Sequence, residues 1–353
     1  MPAQQLPVDL PIEPMLAKAV GTVPTEAPGG GALLYEPKWD GFRGIVAFDG
    51  ETVEIGSRGG KPLTRYFPEL TSALARVLPG PCVVDGEVVV PTGADGGQRL
   101  DWDALTQRIH PAASRVAKLA AETPASFVAF DLLATADASL LDAPFSERRS
   151  ELERLLGSAE APLFLTRVTR DPELAEAWLA EFEGAGLDGV VAKPLDEPYA
   201  PGKRVMLKVK HHRTADVVVT GYRVHASGHG VGSLLVSLYT ETGRLAQVGG
   251  ISAFTSKVRD ELVEELAPLV QRDEHGEPVR GEGEKSRFSS GRDTSFVVLR
   301  PERVVEVRYD QMEGDRFRHT AQFERWRPDR DPRSCNFEQL EVPHAYDLAQ
   351  VLA

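Results

Sequence analysis

Short stretches of alternating apolar and polar residues dominate the chain, and this pattern indicates strands. Residues 45–48 and 52–55 flank Asp49-Gly50, a pair typical of a tight hairpin turn, so both stretches are predicted to be paired strands. Further strands are predicted at residues 82–90, 127–133, 189–193 and 205–210. The first of these is interrupted by the polar run Asp85-Gly86-Glu87, which alone would be interpreted as a bulge with exposed acids.

Helices are predicted where apolar residues recur every three or four positions, at residues 68–78, 100–109, 112–122 and 146–156. Ser146 is a candidate N-cap for the last of these. A further helix is expected to open at Asp171-Pro172, with the aspartate as its cap and the proline at its first position. Gly184 is expected to close that helix.

The pattern changes near residue 212, where three successive strands are predicted at residues 216–224, 234–240 and 244–250. A helix over residues 256–270 follows, and then strands at 296–299, 304–309 and from 317 onward. This order is typical of an OB-type barrel. We therefore predict an α+β chain of two domains, antiparallel sheets with flanking helices followed by a β-barrel, with the boundary at residues 210–216. The expected parts are an extended lead-in packed on the first domain (1–30), the first domain (31–212), the barrel (213–335) and a C-terminal tail (336–353).

Composition narrows the class of protein. No stretch of about 18 apolar residues occurs, and the N-terminus lacks the features of a signal peptide, so we expect no membrane span and a cytoplasmic protein. Two cysteines, Cys82 and Cys335, supply neither a disulfide framework nor metal-site spacing. The net charge of −13 alone argues against a nucleic-acid partner. Basic residues nevertheless cluster in two places, and it is their position that decides binding: Lys203, Arg204, Lys208, Lys210, His211, His212 and Arg213, and then Arg316, Arg318, Arg325, Arg327, Arg330 and Arg333.

Lys38 is the first candidate for chemistry, because it ends an apolar stretch and is followed by Asp40 and Gly41. A lysine is a nucleophile only as the neutral amine, and its ordinary pKa is about 10.4. A site must therefore lower that pKa by burial or by nearby cations. These residues alone fit an exposed turn with a solvated lysine equally well.

Five further segments change the balance: Ser57-Arg58-Gly59, Asp85-Gly86-Glu87, Phe130-Asp131, Asp188-Gly189-Val190-Val191-Ala192-Lys193 and Lys208-Val209-Lys210. Each alone fits a turn, a bulge, a core position or an edge strand. In this order, after Lys38, they resemble the motif series of the covalent nucleotidyltransferases, which include DNA ligases, RNA ligases and mRNA capping enzymes. The run from Phe323 to Arg330 resembles the last motif of ATP-dependent DNA ligases, and residues 11–17 and 315–323 are similar to small stand-alone bacterial members of that family.

The resemblance implies a nucleotidyltransferase (adenylation) domain followed by an OB domain, and a three-step reaction. Lys38 takes AMP from ATP, AMP passes to the 5′-phosphate of a DNA nick, and the 3′-hydroxyl then displaces it. The OB domain is expected to turn between the first two steps, with residues 210–216 as the hinge. Physically, Lys208 and Lys210 would stabilise charge on the α-phosphate and lower the pKa of Lys38.

The resemblance also implies further site residues, beginning with Asp40 in the catalytic set. Around the nucleoside we expect Glu36 at the adenine amino group, Phe130 stacked on adenine, and Arg43 and Arg58 at the ribose or the nick 5′-phosphate. Lys193 would add to the cations near the phosphates. Mg²⁺, or Mn²⁺ in its place, would be held by Glu87 and Asp188, with the ribose as an alternative contact for Glu87. Four residues would close over the triphosphate: Arg325, Arg327, Asp329 and Arg330.

The sequence departs from the family pattern at three places. Arg330 stands where many ligases have lysine, Val205-Met206 where many have tryptophan, and Asp188 where glutamate is commoner. None of these changes removes a charge that the chemistry needs. Arginine in place of lysine keeps the charge but alters its geometry.

Three alternatives stay open from the sequence. An RNA ligase or a capping-type guanylyltransferase would use the same motifs. An NAD-dependent ligase would need an additional nicotinamide-binding domain, for which about 30 residues before the first domain leave no room. A catalytically inactive OB protein would bind DNA without reacting. For the ligase we expect nicked double-stranded DNA as substrate, gap-filling polymerases or other repair enzymes as partners, a monomer, and a loop over residues 272–293 that helps to grip DNA.

Overall fold

The computed structural model describes residues 6–94, 96–211, 213–283, 293–340 and 344–352. The chain forms two compact units, one of Met1–Lys210 together with Pro343–Ala353 and the other of His211–Val342. Several expectations fall partly outside the described residues: positions 1–5 of the lead-in, His212 of the basic cluster and hinge, residues 284–292 of the DNA-gripping loop, and positions 341–343 and 353 of the tail.

The described part of the first unit contains eleven strands. They are β1 (Leu16–Ala19), β2 (Leu33–Pro37), β3 (Phe42–Phe48), β4 (Val53–Ser57), β5 (Cys82–Val89), β6 (Pro91–Thr92), β7 (Arg99–Leu100), β8 (Ser126–Thr135), β9 (Leu163–Leu165), β10 (Val190–Pro194) and β11 (Arg204–Val209). Two larger sheets result, one in the order β4-β3-β5-β8-β9 and one in the order β1-β11-β10-β2, while β6 pairs with β7. Most pairs are antiparallel; the parallel ones are β1 with β11 and β8 with β9.

Where the structure describes the chain, five helices lie among these strands: α1 (Pro68–Val77), α2 (Trp102–Gln107), α3 (Ala113–Glu122), α4 (Phe145–Leu156) and α5 (Pro172–Glu181), with short 3₁₀ helices at Thr64–Tyr66 and Phe182–Ala185. Asp171 caps α5 by accepting a hydrogen bond from the Glu173 amide, which confirms that expectation. Two expectations were wrong. Ser146 gives no cap, because α4 begins one residue earlier, at Phe145, with Pro144 at the N-cap position. The 3₁₀ helix that continues α5 is closed by Gly186 rather than by Gly184, since Gly186 takes the left-handed conformation, φ 88°.

The hairpin across Asp49-Gly50 forms as predicted, with β3 paired to β4. The polar run in β5 does not interrupt the strand, because a register shift between Asp85 and Gly86 absorbs it as a bulge. The prediction that this bulge exposes its acids was wrong for Asp85, which is fully buried. Gly86 is required here, because a Cβ would overlap the Phe127 ring and the Val128 carbonyl oxygen.

The second unit is built on a six-stranded sheet in the order β14-β13-β12-β16-β15, with β19 also paired to β16. Its strands are β12 (Arg213–Val224), β13 (Val231–Tyr239), β14 (Leu245–Ile251), β15 (Arg280–Glu282), β16 (Ser295–Tyr309), β17 (Met312–Glu313), β18 (Arg316–Phe317) and β19 (Gln322–Trp326). The helix α6 (Ser256–Leu266) is shorter than predicted and continues as a 3₁₀ turn over Ala267–Leu269. Where two strands were expected around Pro301, one long strand forms. The pairing of this strand with β12 is interrupted between Val298 and Arg303. Pro301, which has no N–H to donate, therefore lies where no hydrogen bond to β12 is needed.

After 3₁₀ turns at Pro332–Ser334 and Phe337–Gln339, the described residues 344–352 belong to the first unit and end in α7 (Leu348–Leu352). Leu348 and Val351 are buried in the same core as Trp178 and Phe182. Within the described ranges, none of the helices has both the length and the apolar character required to cross a membrane.

Candidate active site

A cavity of about 180 Å³ lies in the first unit, lined by residues from both of its larger sheets. Eight of the residues singled out from the sequence line it: Glu36, Lys38, Arg43, Arg58, Glu87, Phe130, Lys193 and Lys208. The four-stranded sheet supplies Lys38 just after β2, and the five-stranded sheet supplies Glu87 on β5. Residues far apart in sequence therefore share one cavity.

Lys38 forms an ion pair with Asp188, with 2.7 Å between Nζ and Oδ2, and Lys210 Nζ lies 2.8 Å from the same oxygen. The backbone fixes this arrangement too. The Lys38 amide donates to the Gly189 carbonyl at 2.8 Å, and the Asp188 amide donates to the Lys38 carbonyl at 2.9 Å. The two residues are thus held in register by main chain as well as by charge.

The expectation that the pKa of Lys38 is lowered was wrong, although the charge of Lys208 acts in that direction. Burial alone would lower it, but Asp188, Glu87 and Asp40 together raise the pKa of Lys38 above its ordinary value. Lys208 shows the effect that was expected for Lys38. Its pKa is lowered, first by burial and then by the positive charges of Lys38 and Lys210.

The charge of Glu87 is poorly stabilised in the cavity. Burial raises its pKa to about 7, although Arg43 and Lys38 act in the opposite direction. The pKa of Asp188 is lowered despite its burial, because Lys38 and Lys210 both stabilise its charge. The two proposed metal ligands thus differ. The charge of Asp188 is stabilised by its lysine partners, whereas the charge of Glu87 is poorly stabilised.

Glu36 and Lys193 form a buried pair in the lining of the cavity, with 2.9 Å between Lys193 Nζ and Glu36 Oε2. Lys193 Nζ also donates to the Phe130 carbonyl at 3.0 Å and lies 4.6 Å from the Phe130 ring centre. The other carboxylate oxygen of Glu36, Oε1, is buried and has no hydrogen-bond partner among the described residues. A buried acceptor without a donor is costly, which makes this oxygen a candidate for a ligand's N–H group.

Arg43 lies against Phe130, with its guanidinium carbon 4.5 Å from the ring centre. Asp85 holds Arg43 by two hydrogen bonds, at 2.5 Å and 2.6 Å, and raises the pKa of Arg43 although burial opposes this. Tyr199 in turn donates to Asp85 at 2.6 Å. Sequence reasoning assigned no role to Asp85 and did not single out Tyr199, which stands in a Pro/Gly-rich loop without periodicity.

The second unit holds the four C-terminal candidates among acidic residues of its own. Arg325 pairs with Glu306 at 2.5 Å. Arg327 donates from Nη1 to both carboxylate oxygens of Asp216 at 3.0 Å, and it pairs with Asp329 at 2.8 Å. Arg330 lies 3.6 Å from Asp216. Arg327 and Asp329 stabilise each other's charge, which lowers the pKa of Asp329 to about 2.

The donor set suits a divalent cation in part. Glu87 lines the cavity and both Glu87 and Asp188 act on Lys38, so carboxylate oxygens of the kind that Mg²⁺ prefers lie around Lys38. No group of three or more His, Cys, Asp or Glu side chains with metal-site geometry occurs among the described residues. Such a sparse set suits Mg²⁺ held together with substrate phosphates better than a metal held by protein alone.

Comparison with known proteins decides the family. The model of the ATP dependent DNA ligase domain matches residues 14–210, and that of the ATP dependent DNA ligase C terminal region matches residues 227–330. The chain belongs to the ATP-dependent DNA ligase family. DNA ligase C1 of Mycolicibacterium smegmatis is 55% identical to this ligase over 98% of the chain and 99% of its own length. DNA ligase C of Mycobacterium tuberculosis is 54% identical over 99% of both.

These matches confirm the resemblance to the small bacterial LigC type, and with it the fold class of a nucleotidyltransferase domain followed by an OB-type domain. A solved structure named Pmar-Lig_Pre, 16% identical, superposes with a TM-score of 0.61 over 89% of this ligase and 68% of that chain. At this identity the likeness concerns the fold alone.

Proposed function

We propose that this ligase seals nicks between a 3′-hydroxyl and a 5′-phosphate in double-stranded DNA, using ATP and a covalent AMP adduct on Lys38. The single observation that carries the proposal is the setting of Lys38. Its Nζ atom lies in a cavity with Lys208, beside Asp188 and Lys210, where an attacking amine, a phosphate and a metal could meet.

In the first step the neutral amine of Lys38 attacks the α-phosphorus of ATP. A P–N bond forms, the bond to the bridging oxygen breaks, and pyrophosphate leaves with that oxygen. Because Asp188 raises the pKa of Lys38, the amine becomes available when Asp188 binds a different cation. Lys208, whose own pKa is lowered, and Lys210 then stabilise the charge on the phosphate oxygens.

Glu87 and Asp188 would hold Mg²⁺ or Mn²⁺, which when bound neutralises phosphate charge. Glu87 keeps its alternative role at the ribose. We further propose that the free oxygen of Glu36 accepts a hydrogen bond from the adenine amino group and that Lys193 holds Glu36 in place. Phe130 would stack on adenine, with Arg43 and Arg58 at the ribose or the nick 5′-phosphate.

Two transfers complete the reaction. The 5′-phosphate oxygen at the nick attacks the phosphorus of lysyl-AMP, Lys38 leaves, and a DNA-adenylate forms. The 3′-hydroxyl then attacks the 5′-phosphate, a phosphodiester forms, and AMP leaves. Arg325, Arg327, Asp329 and Arg330 are assigned to the triphosphate in the first step alone. To bind it, the arginines must exchange their ion pairs with Glu306 and Asp216 for phosphate.

From the nicked-DNA substrate we infer a repair enzyme that acts as a monomer in the cytoplasm, with gap-filling polymerases or other repair enzymes as partners. This chemistry requires a 3′-hydroxyl next to a 5′-phosphate in one strand of a duplex. A polymerase leaves such a nick after filling a gap. Co-purification with such enzymes, and the mass of the protein in solution, are the measurements that bear on this part.

The decisive experiment incubates the protein with α-labelled ATP and Mg²⁺ and then denatures it. Label should remain on wild-type protein, vanish with Lys38→Ala and persist with Lys118→Ala, an exposed lysine paired only with Glu122. Chelation of the metal should also abolish labelling. Parallel assays with GTP, and with nicks in RNA, separate this function from that of a capping enzyme or an RNA ligase. Label on Lys38→Ala would overturn the assignment.

A further inference from the structure

Four residues form a closed ring of hydrogen bonds beside the cavity. Tyr199 donates to Asp85 at 2.6 Å, and Asp85 pairs with Arg43. Arg43 Nη2 donates to the Met15 carbonyl at 3.3 Å, and the Met15 amide donates back to the Tyr199 hydroxyl at 2.9 Å. Both polar groups of the Met15 backbone are therefore held by this ring.

Met15 belongs to a wall of the cavity, since residues 14–17 all line it. From Leu16 onward the wall is fixed by pairing of β1 with β11, and the Leu16 amide donates to the Lys203 carbonyl at 2.8 Å. Just before Leu16 no sheet pairing exists among the described residues, and the ring takes its place at Met15. The Pro14 carbonyl accepts a hydrogen bond from the Gly202 amide at 3.4 Å, and the tyrosine hydroxyl is the acceptor for the next amide, that of Met15.

We propose that Tyr199 is a positioning residue, whose hydroxyl fixes the wall at residues 14–17 and so sets the affinity of the site for the adenosine moiety of its substrates. The inference rests on the proposed function. Tyr199 itself does not line the cavity. We expect it to act through Met15, because the two hydrogen bonds that Asp85 accepts from Arg43 do not involve the tyrosine hydroxyl.

The variant Tyr199→Phe removes only the hydroxyl oxygen. It keeps the aromatic ring, whose centre lies 5.5 Å from the Arg148 guanidinium carbon. It leaves the buried Met15 amide without an acceptor. Because an unpaired buried amide is costly, we expect the backbone at Met15 to shift. The matched control is Tyr35→Phe. Tyr35 is as buried, donates from its hydroxyl to the Pro24 carbonyl at 2.6 Å and does not line the cavity.

The test measures the rate of self-adenylylation against ATP concentration, and ATP binding in a Lys38→Ala background where no chemistry follows. For Tyr199→Phe we expect KM and Kd for ATP to rise about tenfold, with kcat within about threefold of wild type. Hydrogen exchange in a peptide covering residues 12–17 should become faster. Tyr35→Phe should lose thermal stability to a similar degree with unchanged KM.

The outcomes separate the two levels of the argument. If wild type shows no Lys38-dependent labelling, the proposed function fails. If wild type is labelled but Tyr199→Phe keeps the ATP KM and Kd of wild type and exchanges no faster at residues 12–17, only the positioning role fails. A fall in kcat with unchanged KM would also overturn it, since the hydroxyl would then act on the chemical step.

Discussion

Lys38 Nζ and Asp188 Oδ2 lie 2.7 Å apart, and Lys210 shares the same carboxylate. The pair raises the pKa of Lys38, which opposes the nucleophilic role assigned to it. In the proposed reaction a protonated Lys38 cannot attack, so the site stays inactive until bound metal or nucleotide takes Asp188 away from Lys38. Asp188 would thereby couple the charge of Lys38 to the binding of metal and nucleotide.

This coupling predicts that the charge of Asp188 is required, rather than its shape. Asp188→Asn should reduce self-adenylylation on the order of 100-fold, because the metal ligand and the cation partner are both lost. Asp188→Glu, which restores the residue commoner at this position in ligases, should keep activity within about tenfold of wild type. Rates of label transfer at saturating ATP would measure both. Wild-type activity in Asp188→Asn would contradict the role.

The backbone hydrogen bond between Lys38 and Gly189 gives a second prediction. Gly189 has φ 128°, and a Cβ there would overlap the carbonyl oxygen of Val209. Gly189→Ala should destabilise the fold by about 1–3 kcal/mol and slow label transfer at least tenfold, because it shifts the carbonyl that accepts from the Lys38 amide. Gly80→Ala, where the space around a Cβ is open, is the control. Thermal melts and labelling rates together show whether the two effects coincide.

The sequence predicted the family, the order of domains and most elements, because short ordered motifs and periodicity carry that information. It did not predict that Asp85 is buried, since a bulge in β5 that hides acids looks the same in sequence as one that exposes them. The role of Tyr199 was equally hidden, because its partners Asp85 and Met15 lie 114 and 184 residues away.

The protonation state of Lys38 shows a different limit. Its motif neighbours include both cations and acids, and sequence order alone does not say which of them comes closest. The structure places Asp188 in contact with it, so the acid prevails over the two lysines. Distances of a few ångströms decide such a balance, and only the folded chain supplies them.

Burial of both cysteines predicts that thiol reagents leave the enzyme active. Cys82 and Cys335 have no exposed surface, and burial raises the pKa of Cys82 to about 12, so the reactive thiolate is scarce near neutral pH. A chromogenic disulfide should titrate no thiol in the native protein and two after denaturation. Cys82→Ala should reduce the second value to one. Rapid labelling of native protein with loss of activity would be inconsistent with this burial.

The last prediction concerns Arg327, which in the second unit is paired with both Asp216 and Asp329. If Arg327 binds the triphosphate of ATP, Arg327→Ala should slow self-adenylylation on the order of 10–100-fold, since a guanidinium that stabilises developing phosphate charge is lost. Sealing of a nick that already carries AMP on its 5′-phosphate should stay within about threefold of wild type, because that step involves no triphosphate. Arg300→Ala, which removes an exposed arginine paired with Glu302, should change neither rate. Equal loss in both assays would instead assign Arg327 to folding of its unit or to DNA binding, and a melting curve of the variant would distinguish these two.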